Sequence, residues 1–215
     1  MSGVRLDGVI FDLDGTLVDS LRDIATSVNL TRRDYGLAPL PGPAVTRHVG
    51  EGSAALVHAA VPVPPERFAE ALARYLDHYA RHVLDTTCLF PGIDALLRRL
   101  AARPLAVVTN KTEALALAIL SGLGVRSRFD PVLGGETLPE KKPHPRPILH
   151  VLERWGLPPA RAGIVGDGIH DMAAGRAAGV VTIGVGYGVA GRAALAAEHP
   201  DYLVDTVAEL DRLLL

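Results

Sequence analysis

Asp12 and Asp14 stand two residues apart at the end of the apolar run Val9-Ile10-Phe11, and Gly15-Thr16 follows them. In extended chain alternate side chains share a face, so both carboxylates project together with Leu13 turned away. Two close carboxylates resist joint ionisation unless a cation neutralises them or one keeps its proton. A hard cation with oxygen ligands resolves this, and Mg²⁺ fits best beside a phosphate. Gly15 permits a sharp turn and a close approach of backbone to a ligand. Alone, the pair equally describes an aspartate-rich turn.

Other segments repeat the theme of an apolar run ending in polar groups. Thr109-Asn110 follows Pro104 to Val108. A hydroxyl and an amide there can hold phosphate oxygens, or simply cap the next helix. Lys142 lies in Lys141-Lys142-Pro143-His144-Pro145, a stretch stiffened by its prolines. Its charge can offset that of a transferring phosphoryl group, and a solvated loop lysine is the plain alternative. In Gly166-Asp167-Gly168-Ile169-His170-Asp171, Asp167 is placed to ligate a metal and Asp171 follows one helical turn later. Helix-capping aspartates would look the same. His144 and His170, two of eight histidines, can serve in acid–base work or only in hydrogen bonding. The order of these groups, each at the end of an apolar segment, makes the joint signal.

The elements that must position them alternate. Strands are expected at Val4 to Phe11, 104–108, 131–133, 162–165, 180–185 and Tyr202 to Val204. Helices are expected at 93–102, 113–121, 147–155 and 172–178, several closed by glycine. This pattern implies an α/β fold: a doubly wound, Rossmann-like parallel sheet covered on both faces. Ligands of such sheets bind beyond the carboxyl ends of the strands. The stretch 18–85 differs, with helical spacing from Leu21 to Leu30, at Ser53 to Ala60 and at Glu66 to Leu84, and Pro39-Leu40-Pro41-Gly42-Pro43 punctuating it. The expected organisation is a catalytic core of 1–17 and 86–215 with a small helical cap, 18–85, inserted after the first strand.

Composition narrows the class. The chain has 215 residues, 48% of them hydrophobic, enough for a core. Its formal charge of -2 lacks the basic footprint of a nucleic-acid binder. The most apolar long stretch, Gly179 to Ala197, is broken by glycines and Arg192, so no membrane span is expected. No leader pattern precedes the first strand. Cys88 is the single cysteine, which rules out an intramolecular disulfide and fits a cytoplasmic protein. It is expected as a packed small side chain. Only three lysines occur, Lys111, Lys141 and Lys142.

With these residues in hand, the sequence resembles the haloacid dehalogenase-like hydrolase superfamily. Asp12-Leu13-Asp14-Gly15-Thr16 matches its first motif, Thr109 the second, Lys142-Pro143 the third, and Gly166-Asp167 with Asp171 the fourth. The resemblance implies that Asp12 attacks phosphorus to form an aspartyl-phosphate. Asp14 would protonate the leaving oxygen and then deprotonate water. Thr109 and Lys142 would hold phosphoryl oxygens. Mg²⁺ would be held by the Asp12 carboxylate, the Asp14 main-chain carbonyl and Asp167, with Asp171 supporting the ion's surroundings or Lys142. Asn110 would assist in substrate binding. The cap would close over the site, its loop Gly50-Glu51-Gly52-Ser53 facing substrate and Arg47 offering a carboxylate partner. The finer resemblance is to phosphoglycolate phosphatases, carried by segments that include Val108-Thr109-Asn110-Lys111 and Gly186-Tyr187-Gly188. Gly168 and His170 depart from that pattern, which usually has Ser and Asn.

The expected activity is Mg²⁺-dependent hydrolysis of a small phosphorylated metabolite, 2-phosphoglycolate, by a monomer or homodimer. A dehalogenase would not need Asp14, and a phosphonatase needs a cap lysine that 20–85 lacks. A sugar-phosphate phosphatase or mutase and a pyrophosphatase share the motifs. A non-catalytic binding protein on the same fold fits poorly with intact Asp12, Asp14, Lys142 and Asp167.

Overall fold

The computed structural model describes residues 4–215; the expectation about the very start of the chain falls partly on Met1 to Gly3, outside the described residues. The strands are β1 (Gly8–Phe11), β2 (Val18–Asp19), β3 (Cys88–Leu89), β4 (Leu105–Val108), β5 (Val132–Leu133), β6 (Ala162–Gly166), β7 (Val181–Val185) and β8 (Tyr202–Val204). The helices are α1 (Leu21–Asp34), α2 (Gly42–Thr46), α3 (Ser53–Ala60), α4 (Phe68–His82), α5 (Ile93–Arg99), α6 (Glu113–Gly122), α7 (Arg146–Trp155), α8 (Ile169–Ala178), α9 (Gly191–Ala197) and α10 (Val207–Leu214).

Six strands form a sheet in the order β5-β4-β1-β6-β7-β8, with every pairing parallel. In β1 the side chains alternate between two cores. Val9 and Phe11 pack with Leu96 of α5, Ile119 of α6 and Leu213 of α10. Ile10 packs on the other face with Ile148 and Val151 of α7 and Ala174 of α8. Such burial on both faces explains why the strands read as unbroken apolar runs. The chain leaves β1 toward β4 and β5 on one side and returns to β6, β7 and β8 on the other. The carboxyl end of β1, where Asp12 sits, is therefore the switch point at which a crevice opens.

The fold is the expected α/β core with a helical insertion. Helices α1 to α4 lie between β2 and β3, which pair antiparallel as a two-stranded ribbon, Val18 opposite Leu89 and Asp19 opposite Cys88. Within the insertion α1 packs on α4, and Tyr75 and Tyr79 of α4 are completely buried. Asp23 of α1 ties the outgoing and returning segments together. It accepts hydrogen bonds from the amides of Thr86 (2.9 Å) and Thr87 (2.8 Å) and from their hydroxyls (2.6 and 2.7 Å). Burial alone would push this carboxyl up, but the four donors together hold it below its ordinary value.

Some elements differ from expectation. The first strand begins at Gly8 rather than Val4, and a 3₁₀ turn at Pro65–Arg67 precedes α4. The ribbon, α2, α9 and α10 were not among the expected elements. Cys88 is exposed rather than packed, because alternation along β3 turns Thr87 inward and Cys88 out. No helix among the described residues is long and apolar enough to cross a membrane.

Candidate active site

Asp12 leaves the end of β1, its amide donating to the Val165 carbonyl of β6 at 2.9 Å. Lys142 reaches it from the loop before α7. The lysine Nζ donates to Asp12 Oδ1 at 2.8 Å and to Asp171 Oδ1 at 2.5 Å. All three groups are buried, Lys142 being only 3% exposed. Burial works against the ammonium, yet the charges of Asp12 and Asp171 outweigh it and hold the lysine above its ordinary range. Lys142 is thus a fixed charge between two carboxylates, not a solvated loop lysine.

Asp167 closes the group from the end of β6. Its Oδ1 accepts from the Thr16 hydroxyl at 3.0 Å and its Oδ2 from the Val189 amide at 2.6 Å. Two glycines make this approach possible. Gly15 has φ +79°, and a Cβ on it or on Gly188 would collide with the Asp167 carboxylate. Tyr187 fixes the same loop by donating to the Thr16 carbonyl at 3.0 Å.

One carboxylate oxygen from each of Asp12, Asp167 and Asp171 lies within 4.8 Å of the others, and all three residues are buried. Burial, then the charges of Asp12 and Asp171, push the Asp167 carboxyl well above its usual range. Burial also pushes Asp171 up to about 6, although Lys142 pulls it down. One lysine does not balance three buried carboxylates. An all-oxygen set with excess negative charge suits a hard divalent cation. Asp171 is committed elsewhere too, since its Oδ2 accepts from the Gly168 amide at 3.0 Å.

Asp14 turns away from that cluster. Its Oδ1 accepts from the Ser20 hydroxyl at 2.5 Å, and its Oδ2 lies 3.1 Å from Lys111 Nζ. The carboxylate is held at both oxygens beside Asp12. Thr109 lies buried at the end of β4, and its hydroxyl oxygen accepts from the Lys111 amide at 3.2 Å. Asn110 bridges segments: its side-chain amide donates to the Gly50 and Lys142 carbonyls, both at 2.9 Å.

The loop before α3 faces the same place. Gly50, Gly52 and Ser53 line an inner recess above Asp12, Asp14 and Thr109. Glu51 lines an adjoining outer cleft of about 380 Å³, and its carbonyl accepts from Lys141 Nζ at 2.7 Å. Arg47 is exposed at the rim of that cleft, and His170 lines it half-buried, burial holding its imidazole below the usual value. His144 is exposed and caps its own turn by accepting from the Arg146 amide. The sequence-based site omitted Ser20, Lys111 and the Val189 amide. Lys111 directly follows Thr109-Asn110, which was its available signal; the other two are brought in by tertiary contact alone.

The family model of the haloacid dehalogenase-like hydrolases matches residues 9–185, from β1 to the end of β7. The chain belongs to this family. The groups described above gather beyond the carboxyl ends of β1, β4 and β6, three interior strands of the sheet. Among curated relatives it is similar to the phosphoglycolate phosphatase of Chromobacterium violaceum, 42% identical over 98% of this chain and 97% of that protein. A second, from Neisseria meningitidis, is 36% identical over 96% and 92%. Among solved structures it is similar to a predicted phosphoglycolate phosphatase from Haemophilus somnus, with TM-score 0.89 and 30% identity over 96% of this chain and 97% of that one. As a haloacid dehalogenase-like hydrolase with this aspartate cluster, the protein is an enzyme of the phosphoric monoester hydrolase class. The alternative of a non-catalytic binding protein falls away.

Proposed function

We propose that the protein hydrolyses 2-phosphoglycolate in a Mg²⁺-dependent reaction that passes through an aspartyl-phosphate on Asp12. The observation that carries this reading is the pairing of two differently held carboxylates at one point. Asp12 is fixed by Lys142 beside Asp167 and Asp171, and Asp14 is fixed by Ser20 and Lys111 next to it. One environment suits a nucleophile that must stay ionised, the other a group that trades a proton with the substrate.

Asp12, Asp167 and the Asp14 main-chain carbonyl would hold Mg²⁺, which supplies charge neutralisation for the phosphoryl oxygens. Lys142 aims Asp12, and with the Thr109 hydroxyl it holds phosphoryl oxygens. An oxygen of Asp12 bonds to phosphorus as the ester oxygen leaves, and Asp14 delivers a proton to that oxygen. Asp14, now a carboxylate, takes a proton from water as the water oxygen attacks phosphorus. Phosphate departs and Asp12 is regenerated, with Asp14 protonated again. Dividing one displacement into two makes each step easier.

The helical segment 18–85 acts as a cap, with Gly50, Glu51, Gly52 and Ser53 facing substrate. Asn110 serves as the tie that holds this loop over the core when the site is closed, in addition to its place beside the phosphate. The names of the similar proteins from Chromobacterium violaceum and Neisseria meningitidis support 2-phosphoglycolate as substrate. A single cysteine supports a reducing, cytoplasmic setting. The test is hydrolysis of a panel of phosphate esters with and without Mg²⁺. The expected result is the highest kcat/KM for 2-phosphoglycolate and none after chelation. A higher value for hexose phosphates or pyrophosphate would overturn the substrate while leaving the reaction class.

A further inference from the structure

Lys111 is a buried side chain to which the reaction above gives no part beyond holding Asp14. It is 7% exposed and sits where β4 gives way to α6. An ammonium with three protons needs three acceptors when buried. Two are present: Asp14 Oδ2 at 3.1 Å and the Tyr79 hydroxyl, contributed by α4 of the cap, at 2.6 Å. Nζ also lies 4.2 Å from the Tyr79 ring centroid, an added cation–π hold. The third proton has no acceptor among the described residues.

Lys111 lines the inner recess together with Asp12, Asp14, Thr109, His48 and Ser53. This recess offers only about 30 Å³, against about 380 Å³ for the outer cleft. It has room for a group of a few atoms. Lys111 is the one lysine or arginine among the residues that line it. Arg47, by contrast, is exposed on the outer cleft and its Nε donates to the Ala44 carbonyl of its own turn.

The distances restrict what can reach Lys111. Asp14 must come within about 2.6–3.2 Å of the ester oxygen to protonate it. Lys111 Nζ is 3.1 Å from that same carboxylate. In the phosphate ester of a 2-hydroxy acid the carboxylate carbon lies two bonds past the ester oxygen, which places its oxygens roughly 3–4 Å from it. A carboxylate so placed meets the third proton of Lys111 while Asp14 still contacts the ester oxygen. A longer leaving group carries its charge past the recess. We infer that Lys111 is the specificity-determining residue of this site, receiving the carboxylate of the leaving group and selecting phosphate esters of short 2-hydroxy acids. The inference rests on the phosphatase reading and deepens it.

The test compares 2-phosphoglycolate with 2-hydroxyethyl phosphate, its neutral counterpart, in wild-type protein and in Lys111→Gln. Because Lys111 also touches Asp14, both rates will fall; the readout is their ratio on one preparation, which cancels any inactive fraction. Loss of one charge-assisted contact predicts that the preference for the carboxylate ester falls about 10- to 150-fold in Lys111→Gln. The same ratio is read from the two Kd values in an Asp12→Asn background, so the answer does not depend on turnover. An unchanged preference in Lys111→Gln overturns the inference while the substrate assignment stands. So does a preference lost in Arg47→Met and kept in Lys111→Gln. A wild-type protein that hydrolyses both esters equally refutes the inference and the substrate together, and one that hydrolyses neither refutes the phosphatase reading itself.

Discussion

Replacing Asp23 with alanine removes the acceptor of four donors at the junction of cap and core. The Thr87 amide and hydroxyl belong to a residue only 5% exposed, so water reaches them poorly. Thr86 is exposed, and its two donors can turn to solvent. Each buried donor left unpaired costs about 1–3 kcal/mol, and the Thr86 pair adds little. The two Thr87 donors together cost about 2–6 kcal/mol. With a urea slope of about 3 kcal/mol per molar, the unfolding midpoint should fall by about 0.7–2 M. Asp23→Asn keeps one acceptor and should lose about half as much. The pH dependence carries a second signature. The folded protein holds Asp23 below its ordinary value near 3.8, so it binds this proton less readily than the unfolded chain does. The stabilisation is complete above that value and disappears as pH falls through the lower, folded one. Urea midpoints measured from pH 5 downward should therefore decline more steeply in wild type than in Asp23→Asn. A midpoint for Asp23→Ala within about 0.2 M of wild type, or equal acid slopes, would refute the reasoning.

The metal-free protein should show the opposite trend at higher pH. Asp167 and Asp171 are raised, so the folded state keeps their protons longer; stability is lost as pH climbs from about 4 through the value near 6 held by Asp171. Thermal melts in chelator should fall over that range, and Mg²⁺ should suppress the fall; a Mg²⁺-independent profile would argue against the site. Lys142→Met leaves Asp12 and Asp171 facing one another and should cost about 3–5 kcal/mol in urea unfolding. Adding Asp171→Asn to it should restore part of that stability but no activity, and recovered turnover in the double variant would contradict the role given to Lys142. Gly188→Ala drives a Cβ into the Asp167 carboxylate. It should weaken Mg²⁺ activation, read as a raised half-saturating Mg²⁺ concentration, and an unchanged value would show that Asp167 is not a ligand.

The legibility of this molecule in its sequence follows the physics of its parts. Strands β1, β4 and β6 are buried on both faces, so each prints as an uninterrupted apolar run and is readable without its neighbours. Glycine in the left-handed conformation, as at Gly156 and Gly179, marks helix ends directly. The ribbon of β2 and β3 is two residues per strand, too short to print any period. Helix α9, Gly191–Ala197, is short and alanine-rich, and only Leu195 is buried, so it has no contrasting face. Asp12, Asp14, Thr109, Lys142 and Asp167 are legible because each ends an apolar segment or breaks a proline-rich one. Ser20, the Val189 amide and Tyr79 act on the site from segments that carry no local sign of it. The hydrogen bonds of Asn110 to Gly50 and Lys142 were not legible, because the partners are carbonyls of the loop before α3 and of the loop before α7.

The central claim is that Asp12 becomes covalently phosphorylated. Mixing the enzyme with 2-phosphoglycolate and Mg²⁺, quenching in acid within the first turnover and reducing the product with borohydride would convert an aspartyl-phosphate to homoserine. Mass spectrometry of the peptide containing Asp12 should then show homoserine at that position, and Asp12→Asn should show none and no turnover. Homoserine at another aspartate, or turnover by Asp12→Asn at the wild-type rate, would contradict the account.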